Sequence, residues 1–96
     1  MIAIIYQWRL AQGKEHQFVE AWSAITALLK LQGSFGAALF DGPEQTVFAI
    51  ARWPDLETRS ASSARRADPE LYAKMIDAIE EELQEQVVNE RLNFWS

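Results

Sequence analysis

The chain contains no cysteine. Disulfides, thiolate zinc sites and cysteine nucleophiles are therefore excluded, and the absence fits a reducing compartment. Histidine occurs once, as His16, which leaves almost nothing from which to build a Ser–His–Asp constellation or a histidine-rich metal site. Positive charge is scarce. Nine basic residues face fourteen acidic ones, for a formal charge of −5, with the acids gathered towards the C-terminal third. This balance disfavours a nucleic-acid or anionic-membrane surface. Long apolar runs are also missing. The N-terminal one lacks a basic leader and is interrupted by Gln7 and Arg9, and nothing approaches transmembrane length. No signal peptide is expected, and a cytoplasmic location is the default.

What is present is an ordinary globular composition, 49% apolar and 24% charged, over 96 residues. It is read as one domain spanning residues 1–96. Eleven aromatic residues, four of them tryptophan, favour collapse over disorder. A chain this short has little core to spare, so oligomerisation would help it.

The strand patterns are the most informative feature. Ile2 to Leu10 places Ile2, Ile4, Tyr6 and Trp8 on one face and Ala3 and Ile5 on the other. Thr46 to Trp53 places Val47, Ala49, Ala51 and Trp53 on one face and Phe48 and Ile50 on the other. Both read as strands buried on two sides. The helices can cover only one side, so the other predicts a second copy of the chain, a homodimer through the sheet face.

Around these strands the pattern predicts a helix from Lys14 to Leu31, with Phe18, Trp22, Ile25 and Leu29 on one stripe. Gly33 stops it. A second strand, Ser34 to Asp41, turns through Asp41-Gly42-Pro43-Glu44, where Gly42 is expected to supply a positive φ. Asp55 caps a short helix from Leu56 to about Arg65, and Asp68-Pro69-Glu70 opens another to about Glu85 with Tyr72, Met75, Ile76, Ile79 and Leu83 inward. A more polar fourth strand, Gln86 to Trp95, suits a sheet edge. The order β-α-β-β-α-α-β predicts an α+β, ferredoxin-like split βαβ fold with a four-stranded antiparallel sheet.

Chemistry is less legible. His16 falls off the apolar stripe and reads as a surface residue. Glu80-Glu81-Glu82 and Glu85 read as the solvated face of the last helix, and Arg65-Arg66 as surface. Gly33-Ser34-Phe35-Gly36 leads from helix into strand, the wrong order for a phosphate loop. No catalytic residue and no metal site can be assigned. Tyr6, Trp8, Phe18, Trp22, Tyr72 and Met75 belong to the sheet face and helix stripes that should meet, and are the candidate binding residues for a small apolar or aromatic molecule.

With these features the chain resembles the antibiotic biosynthesis monooxygenase family of dimeric α+β barrels. The resemblance rests on the aliphatic first strand, on Gly13-Lys14-Glu15 opening a helix with Phe18 and Trp22, on the hairpin at Asp41-Gly42, and on Ala51-Arg52-Trp53-Pro54-Asp55-Leu56-Glu57. It implies a homodimer whose sheets close into a barrel, with a ligand cavity between sheet and helices in each subunit. It also implies oxygenation of anthrone-like or quinol-like substrates without any cofactor, neither flavin nor metal. The haem-degrading branch of relatives is a poor match. Its first-strand asparagine position falls at Tyr6, residues 56–65 contain no tryptophan and residues 69–85 contain no histidine. A non-catalytic small-molecule-binding or regulatory module is the competing reading, and a purely structural interaction protein is a third.

Overall fold

The alternation along Ile2–Leu10 becomes β1, in which Ile2, Ile4, Trp8 and Leu10 are buried while Ala3, Ile5, Gln7 and Arg9 are only half covered. The computed structural model describes residues 1–95. The elements that follow are α1 (Glu15–Leu31), β2 (Gly36–Asp41), β3 (Thr46–Trp53), α2 (Leu56–Ala61), α3 (Ala64–Ala67), α4 (Pro69–Asp77) and β4 (Ile79–Asn89). The strands form one antiparallel sheet in the order β2-β3-β1-β4. This is the ferredoxin-like α+β arrangement, with the two most apolar strands in the centre. Among the described residues, no helix is long and apolar enough to cross a membrane.

The helices pack on one face of the sheet. There Trp8 meets Phe18 of α1, ring centroids 5.4 Å apart and tilted by 59°. Leu10, Ala21, Ile25, Val47, Ala49, Met75 and Ala78 complete the main core. Ile2, Ile4 and Trp53 form a smaller cluster beside it. Burying each large side chain contributes about 1.5–3 kcal/mol.

Four expectations are corrected. The helix opened by Asp68 and Pro69 does begin there, with the Asp68 carboxylate accepting from the Leu71 amide at 3.0 Å, but it ends at Asp77 rather than Glu85. Strand β4 correspondingly occupies Ile79–Asn89 rather than Gln86–Trp95. The physical reason is β1, whose backbone needs partners along its whole length: Leu10 pairs with Ile79 and Ile2 with Asn89. This pairing overrides the helical propensity of the glutamate-rich segment. The helix expected over Leu56–Arg65 divides in two, because Ser62 and Ser63 take extended backbone and Ser63 Oγ accepts from the Arg66 amide to start a new turn. In the β2–β3 turn, positive φ falls on Glu44 and Gln45, not on Gly42. Glycine at 42 answers to crowding instead, since a Cβ there would lie 2.6 Å from Thr46 Oγ1.

Gly33 ends α1 with φ +111°, and an added Cβ would meet Thr58 Cγ2 of α2 at 2.6 Å. Gly33→Ala is therefore expected to destabilise the fold by about 1–3 kcal/mol, read as a lower denaturant midpoint at unchanged m.

Candidate functional site

A sheet and its helix layer normally sit about 10 Å apart, a gap filled by large side chains. Here part of the sheet's inner face carries only methyl groups. Ala37 of β2 pairs with Ala51 of β3, and Ala49 lies two residues along the same strand. Above this floor the helix layer does not close, leaving a cavity of about 570 Å³. That is the size class of small-molecule sites.

Aromatic and aliphatic side chains make the walls. Tyr6 and Trp8 enter from β1, stacked at 4.9 Å with 16° between their planes. Trp22, Ile25 and Leu29 enter from α1, Trp53 from β3, and Tyr72, Met75 and Ile76 from α4. Five of the six binding residues expected from the sequence thus line the cavity: Tyr6, Trp8, Trp22, Tyr72 and Met75. Phe18 does not. It is fully buried one layer deeper, against Trp8, and belongs to the core.

The polar lining could not be placed from the sequence. Arg59 of α2 reaches inward and donates from Nη2 to the Tyr6 hydroxyl at 3.3 Å. The same nitrogen lies 3.9 Å from a Glu85 carboxylate oxygen, a loose ion pair. Burial pushes the Tyr6 hydroxyl above its ordinary pKa of about 10, and the Arg59 contact only partly opposes this. Tyr6 is therefore a neutral phenol at physiological pH. Arg59 is in turn held more firmly protonated by the Tyr6 hydroxyl.

Glu82 and Glu85 also line the cavity, and a register shift in β4 puts both there. Tyr6 pairs with Glu85 and Trp8 with Glu82, so Leu83 is an extra residue opposite β1. Without this bulge, residues three apart would point to opposite faces. The glutamates expected on a solvated helix face are therefore distributed by a strand. Glu81 pairs with Arg9 at 2.7 Å on the outer side, while Glu82 and Glu85 lie on the cavity side and remain exposed at its edge. Arg65 and Arg66, expected at the surface, stand at the cavity rim, with the Arg65 guanidinium 5.3 Å from the Tyr72 ring centre. His16 is exposed beside Glu20, away from the cavity. Among the described residues, no three His, Asp or Glu side chains converge as metal ligands.

Arg59 carries no local signal that would mark it as inward-pointing. Its helix buries no residue. Only the pairing of β3 with β1, which carries the following α2 alongside β1, brings it to Tyr6.

Removing the Tyr6 hydroxyl tests this geometry. Native stability should fall as pH rises from about 10 through the raised Tyr6 value, because ionising the buried phenol disfavours the folded state. In an absorbance titration of the folded protein, Tyr6→Phe is expected to abolish a phenolate signal that appears at higher pH than free tyrosine. If the wild type shows no such late component, the hydroxyl is not buried as described.

No family model and no curated protein sequence matches the chain. Solved structures do match it. A candidate antibiotic biosynthesis monooxygenase from Chloroflexus aurantiacus superposes with a TM-score of 0.81 at 12% identity, covering 96% of this chain and 94% of the other. One from Bordetella bronchiseptica gives 0.75 at 21% identity, covering 95% and 97%. SnoaB, a cofactor-independent oxygenase from Streptomyces nogalater, gives 0.75 at 14% identity, covering 99% and 97%. At these identities the likeness is one of fold, and the chain has the fold of the antibiotic biosynthesis monooxygenase structures.

Proposed function

We propose that the protein is a cofactor-independent monooxygenase of a small aromatic substrate, anthrone-like or quinol-like, bound between sheet and helices. The observation that carries this reading is the aromatic-walled cavity of about 570 Å³ with a polar Tyr6–Arg59 pair inside it. Support also comes from the shared fold with SnoaB, a cofactor-independent oxygenase. The chemistry balances without a protein redox group. The substrate loses a proton, and its carbanion or enolate gives electrons to dioxygen. One oxygen atom enters the ring system as a carbonyl and the other leaves as water. The protein's part is to orient the substrate and to shield the electron-rich anion from bulk water.

A second reading is a binding module that transforms nothing. Its support is that both members of the innermost polar pair are donors: Tyr6 is held as a phenol and Arg59 as a cation. Oxygen uptake with a panel of anthrones and quinols, with chelator present and flavin absent, separates the two. Uptake above the uncatalysed rate is expected, and Trp22→Ala, which removes an indole from the α1 wall, should reduce it by at least about tenfold while the protein stays folded. A rise in melting temperature with ligand but no uptake would favour the binding module.

The reading includes a homodimer. All the helices lie on one face of the sheet, and the other presents Ala3, Ile5, Phe48 and Ile50 from the central strands and Ala38 and Phe40 from β2. Ile5 pairs with Ile50 at its centre, while Phe40 is 48% and neighbouring Phe35 56% exposed. A second copy related by a two-fold axis would cover this face with an identical one. Light scattering at micromolar concentration should give a dimer, and Ile5→Asp should dissociate or unfold it. A wild-type monomer, or an unaffected Ile5→Asp dimer, would sink this arrangement.

A further inference from the structure

The charge around the cavity runs against the charge of the chain. Three of the nine basic residues, Arg59, Arg65 and Arg66, line it against two carboxylates, Glu82 and Glu85, although the chain as a whole carries −5. The hydrogen-bonding capacity inside it is similarly one-sided. A guanidinium has five N–H donors. Among the described residues the Arg59 guanidinium makes one hydrogen bond, to the Tyr6 oxygen, and it lies 3.9 Å from a carboxylate oxygen of Glu85. Because the Tyr6 oxygen accepts from Arg59, the tyrosine's own hydrogen is not engaged by that contact. Two donors with spare capacity therefore stand side by side at the edge of the aromatic walls.

We infer that the cavity takes its ligand as a ring-borne oxyanion, a phenolate or enolate, with the anionic oxygen between the Arg59 guanidinium and the Tyr6 hydroxyl. This rests on the reading of the cavity as an aromatic-ligand site. The rings lie against Trp8, Trp22 and Tyr72, over the alanine floor. Arg65 and Arg66 at the rim offset Glu82 and Glu85 and draw the anion in. The remaining titratable groups facing the oxygen are Tyr6 itself on β1 and Tyr72 on α4, while α1 contributes Trp22, Ile25, Thr26 and Leu29, none of which titrates.

Such a site also gives the substrate's proton a destination. A site that binds the conjugate base more tightly than the acid lowers the ligand's pKa by the same factor, one unit for each tenfold preference. The ring hydroxyl then ionises with solvent as the proton acceptor: the O–H bond breaks, the electron pair stays on oxygen, and no protein base is required. Arg59 is a binding residue in this scheme, and the cavity selects acidic ring hydroxyls over uncharged aromatics of the same shape.

Alizarin, a dihydroxyanthraquinone whose conjugate base differs in colour, tests this without turnover, because it is already a quinone. Anthraquinone is its uncharged counterpart. In the presence of the wild-type protein the first colour change of alizarin is expected at lower pH than in buffer. Arg59→Gln should abolish that displacement and weaken binding of the alizarin anion by about 10- to 100-fold, with anthraquinone binding unchanged. Arg59→Lys, which keeps the charge but not the fork, should retain part of the effect. A colour change that is unmoved or displaced upward in the wild type, or a displacement that survives in Arg59→Gln, would overturn the inference. If anthraquinone binds and the alizarin anion is not preferred, the oxyanion site falls while the aromatic pocket stands. If neither dye binds, both fall.

Discussion

Strand β1 is bonded on both sides, to β3 from Ile2 to Arg9 and to β4 from Ile2 to Leu10. A central strand has no water to satisfy its amides and carbonyls, so each must find a backbone partner. This requirement fixes the length of β4, and through it much else. It ends α4 at Asp77, so that Ile79 can pair with Leu10. It draws a glutamate-rich segment into an extended edge, where its charges also discourage further strand pairing. It also absorbs the mismatch between the strands as a bulge at Leu83, which aims Glu82 and Glu85 into the cavity.

The two faces of the sheet use apolar residues for different ends. On the inner face, bulk and its absence are separated in space. Trp8, Leu10 and Val47 are buried beneath α1 and α4, whereas Ala37, Ala49 and Ala51 leave the room that becomes the cavity. Close packing elsewhere keeps the helix layer from collapsing onto that floor. On the outer face, Ile5, Ile50, Phe48 and Phe40 form a broad patch over which, among the described residues, no helix passes. The cavity and the outer patch thus back onto opposite sides of the same three strands, β1, β2 and β3, so a change at the outer face can reach the cavity through the sheet itself.

Much of this was legible in the sequence because it depends on local periodicity. The two-residue alternation of β1 and β3 gave both strands and assigned their faces correctly, and the stripe of α1 turned Phe18 and Trp22 towards the sheet face that carries Trp8. Asp68 and Pro69 marked the start of α4 through cap chemistry that does not depend on distant contacts. What could not be read depends on pairing between distant segments. Ile79 and Leu83 continue the helical spacing of Tyr72 and Met75, so nothing local distinguishes a longer helix from a strand entering the sheet. The same error hid the inward glutamates, since the face of a strand residue beyond a bulge is set by its partner strand. Phe18 and Trp22 share one helical stripe, and only the depth of packing separates the core residue from the wall.

Arg59 shows why a polar site can arise on so slight an element. Six residues of helix with no buried side chain add little to the core, so α2 is positioned by its cap and its neighbours rather than by its own packing. The Asp55 carboxylate accepts from the Thr58 amide at 2.7 Å, which sets the start of the helix. Thr58 packs where Gly33 leaves space. Arg59 follows directly and is carried to Tyr6, whose ring is already fixed by stacking on Trp8 in the central strand. The donor pair therefore joins a hydroxyl on the central strand to a guanidinium on a short helix. The hydroxyl belongs to the most constrained strand of the fold, while the charge sits on a long side chain that can adjust to a ligand without disturbing the core.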